Sequence, residues 1–466
     1  MTTRPFRFII VLLAGFSCAD EPEVPPPLPS PSPIQQQTPN PEPTPGPEPS
    51  PGTGEEATGP NFWIKPVDIP TYNNYGFLLA EIDQQELVTT LPLIEDHGFV
   101  WSKLKKPAVG DGVSTEAHLG PKSNGHLFSA YMYELEGNTF YNVRAFIKSS
   151  GKIYYSTEAS FQTRPGSWRK LSDFPGTTTV NGASFVLNGV AYVLVGNEVW
   201  TYSPSLDAWD RKNDFPMQTD GPTGFAIGGV GYIYCGNVWR YNDTNDQWTA
   251  MLPLTQPSAL HKGCKGVFSF VWQGKAYIGG GAGNLNEKIL VYDPVPNTQD
   301  NLDFTHSSPN VNFASATGSD GKVYVVGGYN FTGSVSSQVL YYDLVNKLSG
   351  KKRSFNADDT ERAEMVGFVV NGEMYLGMGF GTYGQLLGGR DDFYRYDASQ
   401  DYWVPQTSLI YIDNKRILHP LRRAGGIGFA IGSKGYIGLG ESREYNSKTT
   451  DFDTSPMYDF WEFTPN

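Results

Sequence analysis

An all-β chain is what the 466-residue sequence predicts, and three observations predict it. Aromatic residues make up 14% of the chain and glycine fills 52 positions, the balance of short strands joined by tight turns. From Asn61 onward, apolar and polar residues alternate with period two in short runs. In the second half one pattern recurs: an apolar strand, a turn, a small residue and Tyr, then Gly four residues on. The length leads us to expect roughly two to four domains.

The elements follow in chain order. Arg4 and Arg7 precede the apolar run Phe8–Phe16, and Ser17-Cys18 follows it. A run of that length flanked by a basic start and a small residue is a secretory signal, expected over 1–17. No apolar run is long enough to span a bilayer as a helix. Residues 18–60 hold seven acidic residues and no basic one, more than half of the formal net charge of −13. From 22 to 60 the chain is dominated by Pro, Glu, Ser, Thr and Gln without an aromatic, a composition that favours an extended polyproline spacer. At about 3.1 Å per residue it reaches up to about 120 Å. The net acidity argues against nucleic acid as a partner.

Residues 61–165 read as a small sandwich. Its strands are expected around Gly76–Ile82, Gly98–Ser102, Leu127–Tyr133, Phe140–Phe146 and Tyr154–Phe161. His97, His118 and His126 have no metal-ligand spacing and read as ordinary strand or loop residues.

From 166 to 466 the repeat dominates. Its tyrosines are Tyr192, Tyr232, Tyr277, Tyr324, Tyr375 and Tyr436, with Gly196, Gly236, Gly281, Gly328, Gly379 and Gly440 four residues later. Each is followed by a strand ending in an aromatic: Tyr202, Tyr241, Tyr292, Tyr342, Tyr396 and Phe463. In three repeats a Trp comes seven residues after that aromatic, at Trp209, Trp248 and Trp403. The sixth repeat has no such last strand. Trp168 to Pro175 matches Trp209 to Pro216 in its Trp, Asp, Phe and Pro, so the N-terminal strand is expected to complete the sixth sheet and close a ring.

Three resemblances emerge from these residues. Cys18 after the apolar run resembles the acylated cysteine of bacterial lipoproteins, and Asp20, Glu21 and Glu23 resemble those displayed on Gram-negative surfaces. That implies an outer-membrane, surface-exposed protein held by a lipid on Cys18. Leu135 with Tyr141, Gly98-Phe-Val-Trp101 and Phe161-Gln-Thr163 resemble fibronectin type III modules. The Asn-Gly turns, Gly280-Gly281, Gly327-Gly328 and the Tyr-Asp and Trp strands resemble kelch repeats, which implies a six-bladed β-propeller over 166–466.

Propellers hold their ligands at the channel mouth and in the loops between strands. Thirteen residues before each repeat Tyr, where kelch blades often carry Arg, stand Thr179, Thr219, Cys264, Val311, Arg362 and Arg423. With Arg422, Lys262, Lys265, His261 and His419 nearby, positive charge is expected at one mouth, where it would favour an anionic or carboxylate-bearing ligand. The competing reading makes the arginines structural, bonded to blade carbonyls. Two long loops, Phe380–Asp392 with Tyr383 and Glu441–Tyr458 with Arg443, are expected to carry binding or to be tolerated insertions.

The ligand-binding candidates are therefore Arg362, Arg422, Arg423, Lys262, Lys265 and Tyr383, with a glycan or a protein as partner. The chain is expected to act as a monomer without cofactor or metal. Galactose oxidase-like copper chemistry lacks its ligands, because His261, His306 and His419 are well separated. A resemblance to six-bladed sialic acid mutarotases implies the enzyme alternative, with Glu361 or Glu364 beside Arg362 as the acid/base carboxylate. A purely architectural envelope role is a third reading. Cys235 and Cys264 fall on neighbouring repeats, and a disulfide and two buried thiols both stay open.

Overall fold

The computed structural model describes residues 62–64, 75–82, 93–122, 125–251, 264, 266–281, 288–303, 314–317, 321–329, 334–355, 361–383, 386–412, 418–446 and 451–465. Cys18, Lys262, Lys265, His261 and His306 lie outside them. Among the described residues every regular element is a strand.

Strands Phe62–Ile64, Tyr75–Ile82 and Leu127–Tyr133 form one antiparallel sheet. Thr115–His118, Asp96–Ser102, Phe140–Ser149 and Lys152–Tyr155 form a second, and Ala159–Gln162 also pairs with Phe140–Ser149. Period-two patterning decides what each strand buries. In Leu127–Tyr133, Phe128 and Met132 turn inward while Leu127, Ser129 and Tyr131 face out. The inward residues of both sheets meet in one core of Leu78, Ala80, Phe99, Trp101, Phe128, Met132 and Val143. Tyr141 joins that core, and its hydroxyl accepts the Glu136 N–H at 3.0 Å, tying the turn to the strand it enters.

Beyond these stand six four-stranded antiparallel sheets, named I to VI in chain order. Sheet I comprises Ala183–Leu187, Val190–Val195, Glu198–Ser203 and Ala208–Arg211; sheet II comprises Thr223–Ile227, Val230–Tyr234, Val238–Asn242 and Gln247–Ala250. Sheet III is Val267–Trp272, Lys275–Gly280, Lys288–Asp293 and Thr298–Asp303, and sheet IV is Ala314–Thr317, Lys322–Val326, Val339–Asp343 and Leu348–Lys352. Sheet V is Val366–Val370, Glu373–Gly377, Phe393–Asp397 and Tyr402–Gln406. Sheet VI takes Ile427–Ile431, Lys434–Gly438 and Phe460–Thr464 from the chain's end and Ser167–Lys170 from far upstream, with Phe463 opposite Trp168.

The first strand of each sheet lies beside that of the next, and the first strand of VI lies beside that of I. The series closes on itself, which removes free inner edges. Close approach is bought with glycine. A Cβ on Gly231 would fall 2.1 Å from the Phe185 ring of the preceding sheet, and one on Gly435 would fall 2.0 Å from Phe368. The third-strand aromatics are all buried, each contributing about 1.5–3 kcal/mol by leaving water.

Backbone bonds repeat at the seams. The N–H of Gly328, Gly379 and Gly440, each four residues after a repeat Tyr, donates to Arg362, Arg423 and Thr179 of the next sheet at 2.8, 2.8 and 2.6 Å. The last of these joins VI to I. Between II and III the corresponding junction is covalent: Cys235 and Cys264 form a disulfide, with Cα atoms 4.4 Å apart. That settles the two readings of these cysteines in favour of the crosslink.

The two long insertions are strands rather than loops. Phe380–Tyr383 and Leu386–Gly389 form a hairpin onto which Arg362–Ala363 adds, and Glu441–Asn446 with Asp451–Pro456 form another.

Candidate functional site

Arg362 and Arg423 reach the start of the first strand in V and VI, and both are 0% exposed. The Arg362 guanidinium forks onto Asp392, with Nη1 2.7 Å from Oδ1 and Nη2 2.5 Å from Oδ2, and Nη1 also reaches the Met378 carbonyl at 3.5 Å. It lies over the Phe355 ring. Arg423 repeats the arrangement, with Nη1 on the Leu439 carbonyl at 3.0 Å and Nη2 on Asp459. Each carboxylate takes a further donor from the residue two positions on, the Tyr394 hydroxyl at 3.1 Å and the Trp461 indole at 2.5 Å. Burial alone would raise Asp392, but the Arg362 charge and its hydrogen bonds outweigh that and hold it down at about 2. Burial and the neighbouring Asp392 push Asp391 up.

These two guanidiniums are buried and each is paired with a carboxylate and a backbone carbonyl, the arrangement of the structural reading of that position. Their acid partners carry a signal of their own in the sequence. Four residues before the third-strand aromatic, only the two Arg-bearing repeats carry Asp.

Glu364, two residues past Arg362, meets a different arginine. Its carboxylate accepts the Tyr329 hydroxyl at 3.1 Å and pairs with Arg443 Nη2 at 2.8 Å. Arg443 also donates through Nε to Glu441 at 2.6 Å and lies over the Phe380 ring at 5.2 Å. Burial weakens the Arg443 charge, but Glu364 and Glu441 outweigh it and raise its pKa; burial and the Glu364 charge raise the Tyr329 phenol. Phe380 packs edge-on against Phe452, and Val335, Ala363 and Ala424 complete an apolar floor. The cluster thus gathers Tyr329 from just beyond sheet IV's second strand, Glu364 from the entry to V, and Arg443 from the hairpin of VI. Chemically it offers a carboxylate, a held guanidinium and a phenol beside aromatic faces, the groups that grip a hydroxylated ring.

Residues 312–348, the fourth repeat, match the family model for the Kelch motif. A solved structure titled "Structure of YjhT" is similar at 16% identity with a TM-score of 0.51, over 63% of this chain and 97% of that one. The fold is a kelch β-propeller. A search of curated proteins finds no match. At that identity the likeness speaks for the fold alone.

The other residues singled out in the sequence scatter over the propeller. Arg422 is exposed beside Gly389, at the hairpin of V, and Glu361 is exposed at the entry to V. Tyr383 ends the strand Phe380–Tyr383, opposite Leu386. His419 is exposed and stacks on Tyr411 in a further small hairpin, Ile410–Ile412 with Leu418–Pro420. Among the described residues, Arg362, Arg423 and Arg443 each contact a carboxylate.

Proposed function

We propose that the chain is a lipid-anchored outer-membrane protein displayed on the cell surface, whose propeller binds a glycan at its mouth. In this reading residues 1–17 are the signal, Cys18 carries the lipid, 18–60 form the stalk, 61–165 a fibronectin type III-like module and 166–466 a six-bladed propeller. The cluster of Tyr329, Glu364 and Arg443 under the hairpins of V and VI carries the binding assignment. Exposed Tyr445 on the second hairpin and Tyr458 just past it supply stacking faces for sugar rings.

Other observations support the remaining parts. Six four-stranded sheets with a shared seam support six blades. The three-strand and five-strand sheets, with the Tyr141 hydroxyl turned back to Glu136, support the fibronectin-like module. The disulfide supports passage through an oxidising compartment. Full-length protein on a glycan array is expected to capture a defined set of sugars, and Tyr445→Ala with Arg443→Ala is expected to lose them. A folded protein that captures none favours the architectural role, or a protein partner.

One observation favours the enzyme alternative: Glu364 does lie beside an arginine, Arg443 rather than Arg362. A mutarotase-type enzyme would interconvert sugar anomers, measured by proton NMR, and Glu364→Gln would abolish the exchange.

A further inference from the structure

The position eleven residues before each repeat Tyr holds Asn181, Gly221, Gly266, Phe313, Glu364 and Gly425. In the five that are described the backbone is left-handed, with φ of 56°, 72°, 73°, 55° and 65° for Asn181, Gly221, Gly266, Glu364 and Gly425. Four of these residues bond to one another from sheet to sheet. Gly221 donates to the Asn181 carbonyl at 3.1 Å, Asn181 to Gly425 at 2.9 Å and Gly425 to Glu364 at 3.2 Å. They form the neck of the ring.

Left-handed backbone suits Gly and is tolerated by Asn, and it strains other residues. Four of the five described positions carry Gly or Asn; Glu364 is the exception. Strain of this kind persists where the surroundings over-determine it, and it clusters at ligand sites. The Glu364 side chain is only 8% exposed, whereas Arg443, which it holds, is 21% exposed. At Gly425 the missing side chain leaves room: a Cβ there would fall 3.1 Å from Asn181 Oδ1 and 3.6 Å from Glu364 Oε2.

We propose that Glu364 is the positioning residue of the ligand site. It pins the Arg443 guanidinium at the neck so that its remaining N–H donors meet the oxygens of a bound sugar, and the propeller keeps it there at a cost in backbone strain. The inference rests on the reading that the mouth binds glycans.

The test compares wild type, Glu364→Gly, Glu364→Gln and Arg443→Ala, all as full chains. Thermal midpoints are measured alongside affinity for the glycans that wild type captures on the array. Both Glu364 variants lose the carboxylate, but Glu364→Gln keeps the backbone strain that Glu364→Gly relieves, so Glu364→Gly is expected to melt clearly above Glu364→Gln. All three variants are expected to bind at least tenfold more weakly. A merely structural Glu364 would leave binding unchanged in both Glu364 variants, and that result overturns the proposal. If wild type captures no glycan, the functional reading fails and the proposal falls with it; a Glu364→Gly that melts no higher than Glu364→Gln overturns the claim of backbone strain.

Discussion

Asp392 and Arg362 show how much of this protein is decided by single paired groups. Breaking a buried pair from one side leaves an uncompensated charge, at a cost of about 3–5 kcal/mol. Arg362→Ala is therefore expected to lose a stability of that order in denaturant unfolding, while Arg422→Ala, at an exposed position, is expected to change it by less than about 0.5 kcal/mol. The pH dependence follows in sign. Because the folded Asp392 sits below the usual carboxylate range, its pair adds stability that is complete above about pH 4 and is lost as the pH falls toward 2. Unfolding midpoints measured from pH 5 downward are expected to fall less steeply in Arg362→Ala than in wild type. The arginines were legible in the sequence because the repeat spacing placed them. The Glu364–Arg443 pair was not, because it joins different sheets through an insertion whose path no spacing predicts.

Strands are held to strands by a second repeated device, at the outer rim. Tyr202, Tyr241 and Tyr396 donate to Asp207, Asp246 and Asp401 at 2.7, 2.7 and 2.6 Å, and all three aspartates have left-handed backbone. Their carboxylates then accept an N–H from the segment leaving the neighbouring sheet, from Ser172, Asn213 and Arg353 at 3.0, 2.9 and 3.2 Å. Trp209 and Trp403 close two of these buckles by donating to Ser172 and Arg353 at 3.0 and 3.5 Å. Sheets III and IV carry Asn297 and Lys347 in place of the aspartate and lack the Trp. Asp246→Ala is expected to cost about 1–3 kcal/mol. By hydrogen exchange, the outer strands of III and IV are expected to open before those of I, II and V. The six repeats were readable because each buries its Tyr and aromatic with the same period. The hairpins in the insertions were not, because Glu441-Ser-Arg-Glu-Tyr-Asn446 is mostly polar and shows no apolar alternation.

The ring as a whole is closed at two kinds of joint. Ser167–Lys170 completes sheet VI through backbone bonds, whereas sheets II and III are crosslinked by Cys235–Cys264 across a separation of 29 residues. A crosslink of that length stabilises by about 3–4 kcal/mol on chain-entropy grounds. Thermal unfolding with and without a dithiol reductant is expected to show that loss in wild type and none in the Cys235→Ser, Cys264→Ser double variant. The ring's architecture was legible in glycine and aromatic spacing, while its charge pattern was not. Arg362 and Arg423 pair internally with Asp392 and Asp459, since sequence position says where an arginine begins but not which carboxylate folds against it. What the ring holds is the central claim, and hydrogen–deuterium exchange of the full chain with its captured glycan tests it most directly. Protection confined to Phe380–Tyr383, Leu386–Gly389 and Glu441–Asn446 is the predicted result; protection on the sheets of residues 62–162, or none at saturating glycan, would contradict it.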